Sequence, residues 1–112
     1  MEESVELGGN ITLSGFSGRD FTELIVVKKI VGQYARKFTD GIPGFSRLAV
    51  TLKDVHGHEG GHGKSEIVVK VIIASQEYDA EVTEHNLYMA LDTALKRVME
   101  QAQKHLEMES HR

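Results

Sequence analysis

One glycine-rich segment of the 112-residue chain concentrates side chains that could bind a metal ion. It contains His56, His58, Glu59 and His62, and neutral imidazole is a good ligand for Zn²⁺ and Ni²⁺. Four of the nine residues from 56 to 64 are glycines, so the segment offers no fixed ligand geometry. We therefore expect no bound metal and no other cofactor, and His56, His58 and His62 are kept as metal-ligand candidates. The same histidines could instead form a pH-sensitive contact, because imidazole gains charge at about pH 6.5.

The other residue patterns do not support an enzyme. The chain has no cysteine, which excludes a thiol nucleophile, a disulfide scaffold and a cysteine-based zinc site. It has no HExxH motif and no Ser/His/Asp arrangement, and Gly8-Gly9 precedes a strand, whereas a phosphate-binding loop leads into a helix. We expect a protein without catalytic residues and without a small-molecule substrate.

Basic side chains form the second pattern with chemical meaning. The net charge is −4, but residues 19–47 hold six basic and three acidic residues, a net of +3, and the rest of the chain nets −7. Such a segment could bind the phosphates of RNA. The alternative is an ordinary solvent-exposed helix face, which is also typically rich in charged residues. Lys29 and Arg36 are seven residues apart, as are Arg97 and Lys104, so each pair lies on one side of its predicted helix. The candidate RNA-binding residues are Arg19, Lys28, Lys29, Arg36, Lys37, Arg47, Lys96, Arg97 and Lys104.

Hydrophobic periodicity predicts the elements that must carry these residues. Apolar residues recur at helical spacing from Arg19 to Phe38 and from Glu84 to Glu107. Alternating apolar and polar residues predict four strands, at 9–16, 45–55, 66–75 and 78–83. The order is therefore β-α-β-β-β-α.

Three local signals predict how these elements begin and end. Gly41 should adopt a left-handed conformation at the end of the first helix, and Pro43 should prevent its continuation. Gln76-Glu77 should turn the chain between the last two strands. Thr83 or Asn86 should cap the second helix, because either side chain can accept a hydrogen bond from the first turn.

This order predicts a two-layer α+β sandwich, a four-stranded sheet with both helices packed on one face. The first two strands should be parallel, since a helix connects them, and the last three should form an antiparallel meander. We expect one domain over residues 9–107, a flexible segment 1–8 and a tail 108–112.

No apolar run approaches about 18 residues, and the N-terminus lacks the pattern of a secretory signal. The expected location is the cytoplasm, with no membrane partner.

Two segments of the chain resemble a known protein family. The first is Asn10-Ile11-Thr12-Leu13-Ser14-Gly15, a strand followed by a long helix that ends in an aromatic residue. The second runs from Ala80 to Asp92 and contains an aliphatic-Tyr-x-Ala-aliphatic-Asp pattern, formed by Leu87, Tyr88, Ala90, Leu91 and Asp92. Over residues 10–107 the chain resembles the small ribosome-associated inhibitors and hibernation-promoting factors, once described as sigma-factor modulation proteins. The basic residues of the last helix continue this likeness.

The resemblance implies a ribosome-binding protein that acts by occupancy. Members of the family bind the small ribosomal subunit, at 16S-type rRNA of the decoding region, where they block the mRNA and tRNA paths and protect idle ribosomes during stress. The chain would then be a monomer or a weak dimer. Two alternatives come from the residues themselves: a metal-binding module that uses His56, His58 and His62, and a protein-interaction domain that uses Val68 and Ile72 on the uncovered sheet face.

Overall fold

The computed structural model describes residues 4–6, 10–55 and 63–110, with the backbone alone at 4–6, 54–55 and 109–110. Within these residues the chain forms β1 (Ser4–Glu6), β2 (Ile11–Ser14), α1 (Phe21–Gly41), β3 (Phe45–Val55), β4 (Lys64–Ile73), β5 (Gln76–Glu84) and α2 (Leu87–Ser110). The predicted order β-α-β-β-β-α is confirmed from β2 to α2, and β1 precedes it.

The strands form one mixed sheet in the order β1-β2-β3-β4-β5. β2 is parallel to β3, with Leu13 opposite Val50, because α1 carries the chain across the sheet between them. β3, β4 and β5 are antiparallel, as predicted. The predicted four strands are present, and β1 adds a fifth. It pairs antiparallel with β2, with Val5 opposite Leu13, so that β2 is not an edge strand.

Both helices pack on the same face of the sheet. Alternate residues of β3 and β4, such as Val50 and Val69, are fully buried there. They share one hydrophobic core with the inner faces of the helices, which contribute Val27, Val31, Ala35 and Phe38 from α1 and Leu91, Ala94, Leu95 and Val98 from α2. The predicted two-layer sandwich, with one sheet face uncovered, is confirmed. Its two helices therefore present their outer faces side by side.

The ends of α1 are set by two different devices. Asp20 caps its start, since its carboxylate accepts a hydrogen bond of 3.1 Å from the backbone N–H of Thr22. The helix ends at Gly41, and the N–H of Ile42 donates to the carbonyl of Phe38 at 2.9 Å. The prediction of a left-handed Gly41 is wrong, because the positive φ lies at Gly44, at +88°. The chain therefore reverses its direction at Gly44, after the helix has already ended at Gly41.

Ala74-Ser75 joins β4 to β5, so the predicted turn at Gln76-Glu77 is wrong. Both turn residues have positive φ, 52° and 70°, which a two-residue hairpin requires but side chains other than glycine rarely adopt. The Ala74 N–H also donates to the carbonyl of Gly44 at 2.9 Å. The turn escaped prediction because Ala and Ser lack the usual turn chemistry of Asn-Gly.

The start of α2 is set by Asn86, one of the two predicted caps. Its side-chain oxygen accepts a hydrogen bond of 3.0 Å from the N–H of Met89, whereas Thr83 lies within β5. In the described part of the chain, neither helix combines the length and the apolar character that crossing a membrane would need.

Candidate nucleic-acid interface

The structure distributes the nine candidate RNA-binding residues over three locations. Most lie exposed on the two helices: Lys28, Lys29, Arg36 and Lys37 on α1, and Lys96, Arg97 and Lys104 on α2. Arg19 precedes α1, and Arg47 lies on β3. The helices thus carry seven of the nine, on the side of the molecule away from the sheet.

Arg19 is paired within the protein. Its Nε lies 3.0 Å from Oε1 of Glu23, one helical turn ahead, and both side chains are about three-quarters buried. This is the one ion pair among the described residues. Arg19 therefore helps to fix the start of α1, and its charge is largely balanced before any ligand arrives.

Arg47 lies on the opposite side of the molecule from the helices. Its neighbour Leu48 points into the core, and side chains alternate along a strand, so Arg47 is on the uncovered sheet face. There it stands opposite Ile72 of β4, in a row that ends at Glu77 of β5. A ligand on the helices would not reach Arg47.

Lys29 and Arg36 lie on the outer face of α1. Val27 and Val31 are fully buried in the core, and Lys29 and Arg36 lie about half a helical turn away from that face. Lys28 lies on the α1 flank away from α2. Lys29, Arg36 and Lys28 are exposed, and none makes an ion pair with another described residue. Asp40 lies one helical turn beyond Arg36 and borders the same surface depression without forming an ion pair with it.

A groove of about 600 Å³ separates the C-terminal halves of the two helices. Lys37 of α1 and Lys96 of α2 both line it, and its apolar surface comes from Ile42, Met99 and Leu106. Lys37 also borders a shallower depression on α1 together with Arg36. Lys37 and Lys96 therefore lie on opposite sides of the groove, which Glu107 of α2 also lines.

Tyr34 connects the two helices beside this groove. Its hydroxyl donates to Oδ1 of Asp92 at 3.1 Å, and Nζ of Lys37 lies 4.9 Å from the centre of its ring. Burial raises the pKa of Tyr34 above its ordinary value, and the hydrogen bond to Asp92 and the charge of that carboxylate raise it further. Tyr34 therefore stays protonated at neutral pH and acts as an interhelical hydrogen-bond donor.

Arg97 and Lys104 lie on the other flank of α2. Gln101 shares their side of the helix, and its side-chain amide donates to the carbonyl of Asp79 on β5 at 2.8 Å. This flank therefore faces the β5 edge, whereas Lys96 faces α1. The structure separates Arg97 and Lys104 from the α1 cations by the width of α2.

The uncovered sheet face has a different charge pattern. Glu77, Asp79 and Glu81 of β5 are exposed on it. Val68 is only 9% exposed and stands opposite Thr51 and Glu81. An apolar docking surface centred on Val68 is therefore not supported, because the side chain is already covered and stands beside a carboxylate.

The other sequence candidates contribute less to the site. His56, His58 and His62 lie outside the described residues, and the described ones contain no group of three metal-binding side chains. Tyr34, Tyr78 and Tyr88 are partly buried and pack against the core. None of the three tyrosines has a fully exposed ring face for stacking.

Two exposed apolar residues on α1 were not foreseen. Phe21 is 76% exposed and Ile25 is 50% exposed, one helical turn apart on the outer face. Their exposure could have been predicted from a helical wheel, because both lie away from the apolar stripe of Val27, Val31 and Phe38. This position was hard to recognise in the sequence, because the residues from Leu24 to Val27 are all apolar.

No protein-family model matches the sequence, and no curated protein is significantly similar to it. The fold is similar to that of the N-terminal domain of Protein Y from Thermus thermophilus. The TM-score is 0.52 at 16% sequence identity, over 76% of this chain and 83% of that one. At this identity the comparison shows a shared fold.

Proposed function

We propose that this protein is a ribosome-associated translation inhibitor or hibernation factor. Its partner would be the small ribosomal subunit, which it would contact through 16S-type rRNA in the decoding region. Occupying that region blocks mRNA and tRNA without any chemical step. A ribosomal partner also implies a cytoplasmic location, and binding needs no cofactor.

The observation that carries the proposal is a cluster of cations without ion-pair partners on the helix side of the molecule. Lys29, Arg36 and Lys37 of α1 and Lys96 of α2 are exposed on the helix side and make no ion pair with another described residue. The acids of β5 lie on the opposite face. Contacts to phosphate need charge at the right spacing rather than a base-specific motif. A chain with net charge −4 can therefore still bind RNA through one face.

The fold supports the same proposal. The β-α-β-β-β-α sandwich is shared with the N-terminal domain of Protein Y, and the ribosomal role is inferred from the sequence resemblance. The resemblance of residues 10–15 and 80–92 to the hibernation-promoting factors points to this role, without a matching family model.

Cosedimentation with purified small subunits tests the proposal. Binding should occur at about 50 mM salt and weaken about 100-fold by about 200 mM, the loss expected when about four phosphate contacts release counterions. Absence of binding at low salt would overturn the proposal. An affinity that does not change with salt concentration would overturn the electrostatic mechanism.

Two double variants test which face of the protein contacts the small subunit. Lys29→Gln with Arg36→Gln should weaken binding at least about 10-fold and make it less sensitive to salt, because two phosphate contacts are lost. Lys53→Gln with Lys70→Gln removes the same charge from the uncovered sheet face and serves as the matched control, with an expected change below about 2-fold. Equal losses in both would show that net charge matters and the α1 surface does not.

A further inference from the structure

The outer face of α1 carries a continuous row of residues that we call the α1 ridge. The row extends along about four turns of the helix, and its members are three or four residues apart except for the adjacent pair Lys28-Lys29. Its members are Phe21, Ile25, Lys28, Lys29, Gly32 and Arg36. All six are exposed, so the protein itself does not use this row for packing.

Phe21 is the most unusual member of the ridge. The nearby phenylalanines Phe16 and Phe38 are buried in the core, whereas Phe21 is 76% exposed. A solvated aromatic ring gains nothing for folding from its apolar surface. Next to cations, an exposed ring face is the feature by which proteins stack on unpaired bases.

Gly32 gives a second observation on the same row. It lies inside a helix, where glycine costs about 1 kcal/mol relative to alanine. A Cβ at this position would meet no atom within 4 Å, so no packing contact requires glycine. The absence of a side chain leaves the helix backbone open to close approach between Lys29 and Arg36 of the ridge.

The charges of the α1 ridge indicate which kind of ligand it could bind. Lys28, Lys29 and Arg36 are its ionisable members, and the acid on the same face of α1 is Asp40, one helical turn beyond Arg36. Glu23, the acid of the first turn, lies on a different side of α1 and is paired with Arg19. The outer face of α2 is mixed by comparison, because Glu100 lies one turn from Lys96 and one turn from Lys104. The α1 ridge therefore matches a polyanion.

We propose that the α1 ridge binds an unpaired segment of RNA, with one base stacked on Phe21 and the following phosphates on Lys28, Lys29 and Arg36. The inference rests on the proposed function and narrows its ligand to single-stranded RNA. A paired A-form helix keeps its bases stacked on each other, so it cannot offer a free base face to Phe21. Ile25 packs beside the stacked base, and Gly32 lets the strand approach the helix.

Substitutions at Phe21 separate stacking from a general apolar contact. Phe21→Tyr keeps an aromatic ring, and Phe21→Leu keeps an apolar side chain without one. The probe is an unstructured oligouridine carrying one 2-aminopurine, whose fluorescence falls when its base stacks, together with its duplex with a complementary strand. Binding of both RNAs is measured for the full chain and the two variants at low salt.

Wild type and Phe21→Tyr should bind the single strand and quench its fluorescence, and both should bind the duplex more weakly. Phe21→Leu should bind about 5- to 100-fold more weakly than wild type, the range found when a base loses its stacking partner. Equal binding by Phe21→Leu, or a preference for the duplex, would overturn the inference. An equal loss in Phe21→Tyr would also overturn it, because the ring would then not be the determinant.

The same variants, tested against small subunits, keep the two proposals apart. If wild type does not bind subunits, the ribosomal function fails whatever the oligonucleotide shows. If wild type and Phe21→Leu bind subunits equally, the ribosomal function stands and the stacking inference fails. Thermal melting of each variant confirms that differences in binding are not differences in folding, since Phe21 is exposed.

Discussion

At the scale of single residues, Gly15 shows how closely two strands approach. It follows the last residue of β2 with φ at +83°, and a Cβ built on it would lie 2.1 Å from the carbonyl oxygen of Leu52 in β3. No real contact is that short, so a side chain would push β2 away from β3. Both the backbone conformation and the space therefore require glycine.

We expect Gly15→Ala to lower the free energy of unfolding by about 2–4 kcal/mol, from left-handed strain together with the clash against Leu52. Urea denaturation measures the loss. Gly18→Ala is the matched control, because Gly18 has φ at +86° but its Cβ would meet nothing within 4 Å. It should lose only about 1 kcal/mol. Equal losses at both positions would mean that the contact with Leu52 contributes nothing.

The sequence alone could place Gly15 at the end of a strand but could not assign its role. Its contact is with Leu52, and the pairing of β2 with β3 depends on the parallel crossover through α1. The same limit applied to Phe21. Its residue type suggested a core position, and only the orientation of α1 on the sheet showed that it faces solvent.

At the scale of elements, the hydrogen bond from Tyr34 to Asp92 is the described polar link between the two helices. We expect Tyr34→Phe to cost about 0.5–1 kcal/mol at neutral pH, the usual net value of one hydrogen bond. Asp92 remains solvated, so no unpaired buried group is created. The variant also removes the titrating phenol, which allows its pH dependence to be isolated.

The pH dependence follows from the raised pKa of Tyr34, whose ordinary value is 10.0. The folded chain holds the phenol proton more tightly than the unfolded chain, so this stabilisation is complete below pH 10 and is lost as pH rises through the folded pKa. The stability difference between wild type and Tyr34→Phe should therefore narrow as the pH rises above about 10. A constant difference in urea midpoints would contradict the link to Asp92.

The elements themselves were largely predictable, because periodicity over long segments is a strong signal. The bounds of α1 and α2 differ from prediction by two to three residues at each end. Asn86 was correctly offered as a cap, since its chemistry is local. The Ala74-Ser75 turn was not predictable, because the register of β4 against β5 forces a positive φ on residues that do not favour it.

At the scale of the whole molecule, charge is separated between two faces. Cations dominate the outer face of α1, and carboxylates line β5 on the uncovered sheet face. The sequence predicted this asymmetry as +3 over residues 19–47 against −7 elsewhere. It could not predict that Arg47 lies on the acidic side, or that α2 turns Lys96 and Arg97 to different flanks, because both depend on how the elements pack.

Two single substitutions with the same change in charge test this separation. Glu100→Gln removes an acid from the outer face of α2 and should tighten binding to small subunits about 2- to 3-fold. Glu81→Gln removes an acid from the far sheet face and should change binding by less than about 1.5-fold, because charges farther away than about 8 Å are screened at physiological salt. Cosedimentation at fixed salt measures both, and equal tightening would show that the total charge governs binding.

The nine residues of β5 also form an edge of the sheet, and long edges invite the same strand of another copy to pair with them. Antiparallel pairing of two such edges around Asp79 would place Asp79 against Asp79 and Glu77 against Glu81, so these carboxylates would repel each other. Gln101 already donates to the Asp79 carbonyl. The acidic side chains of β5 therefore disfavour edge-to-edge pairing of two copies through this strand.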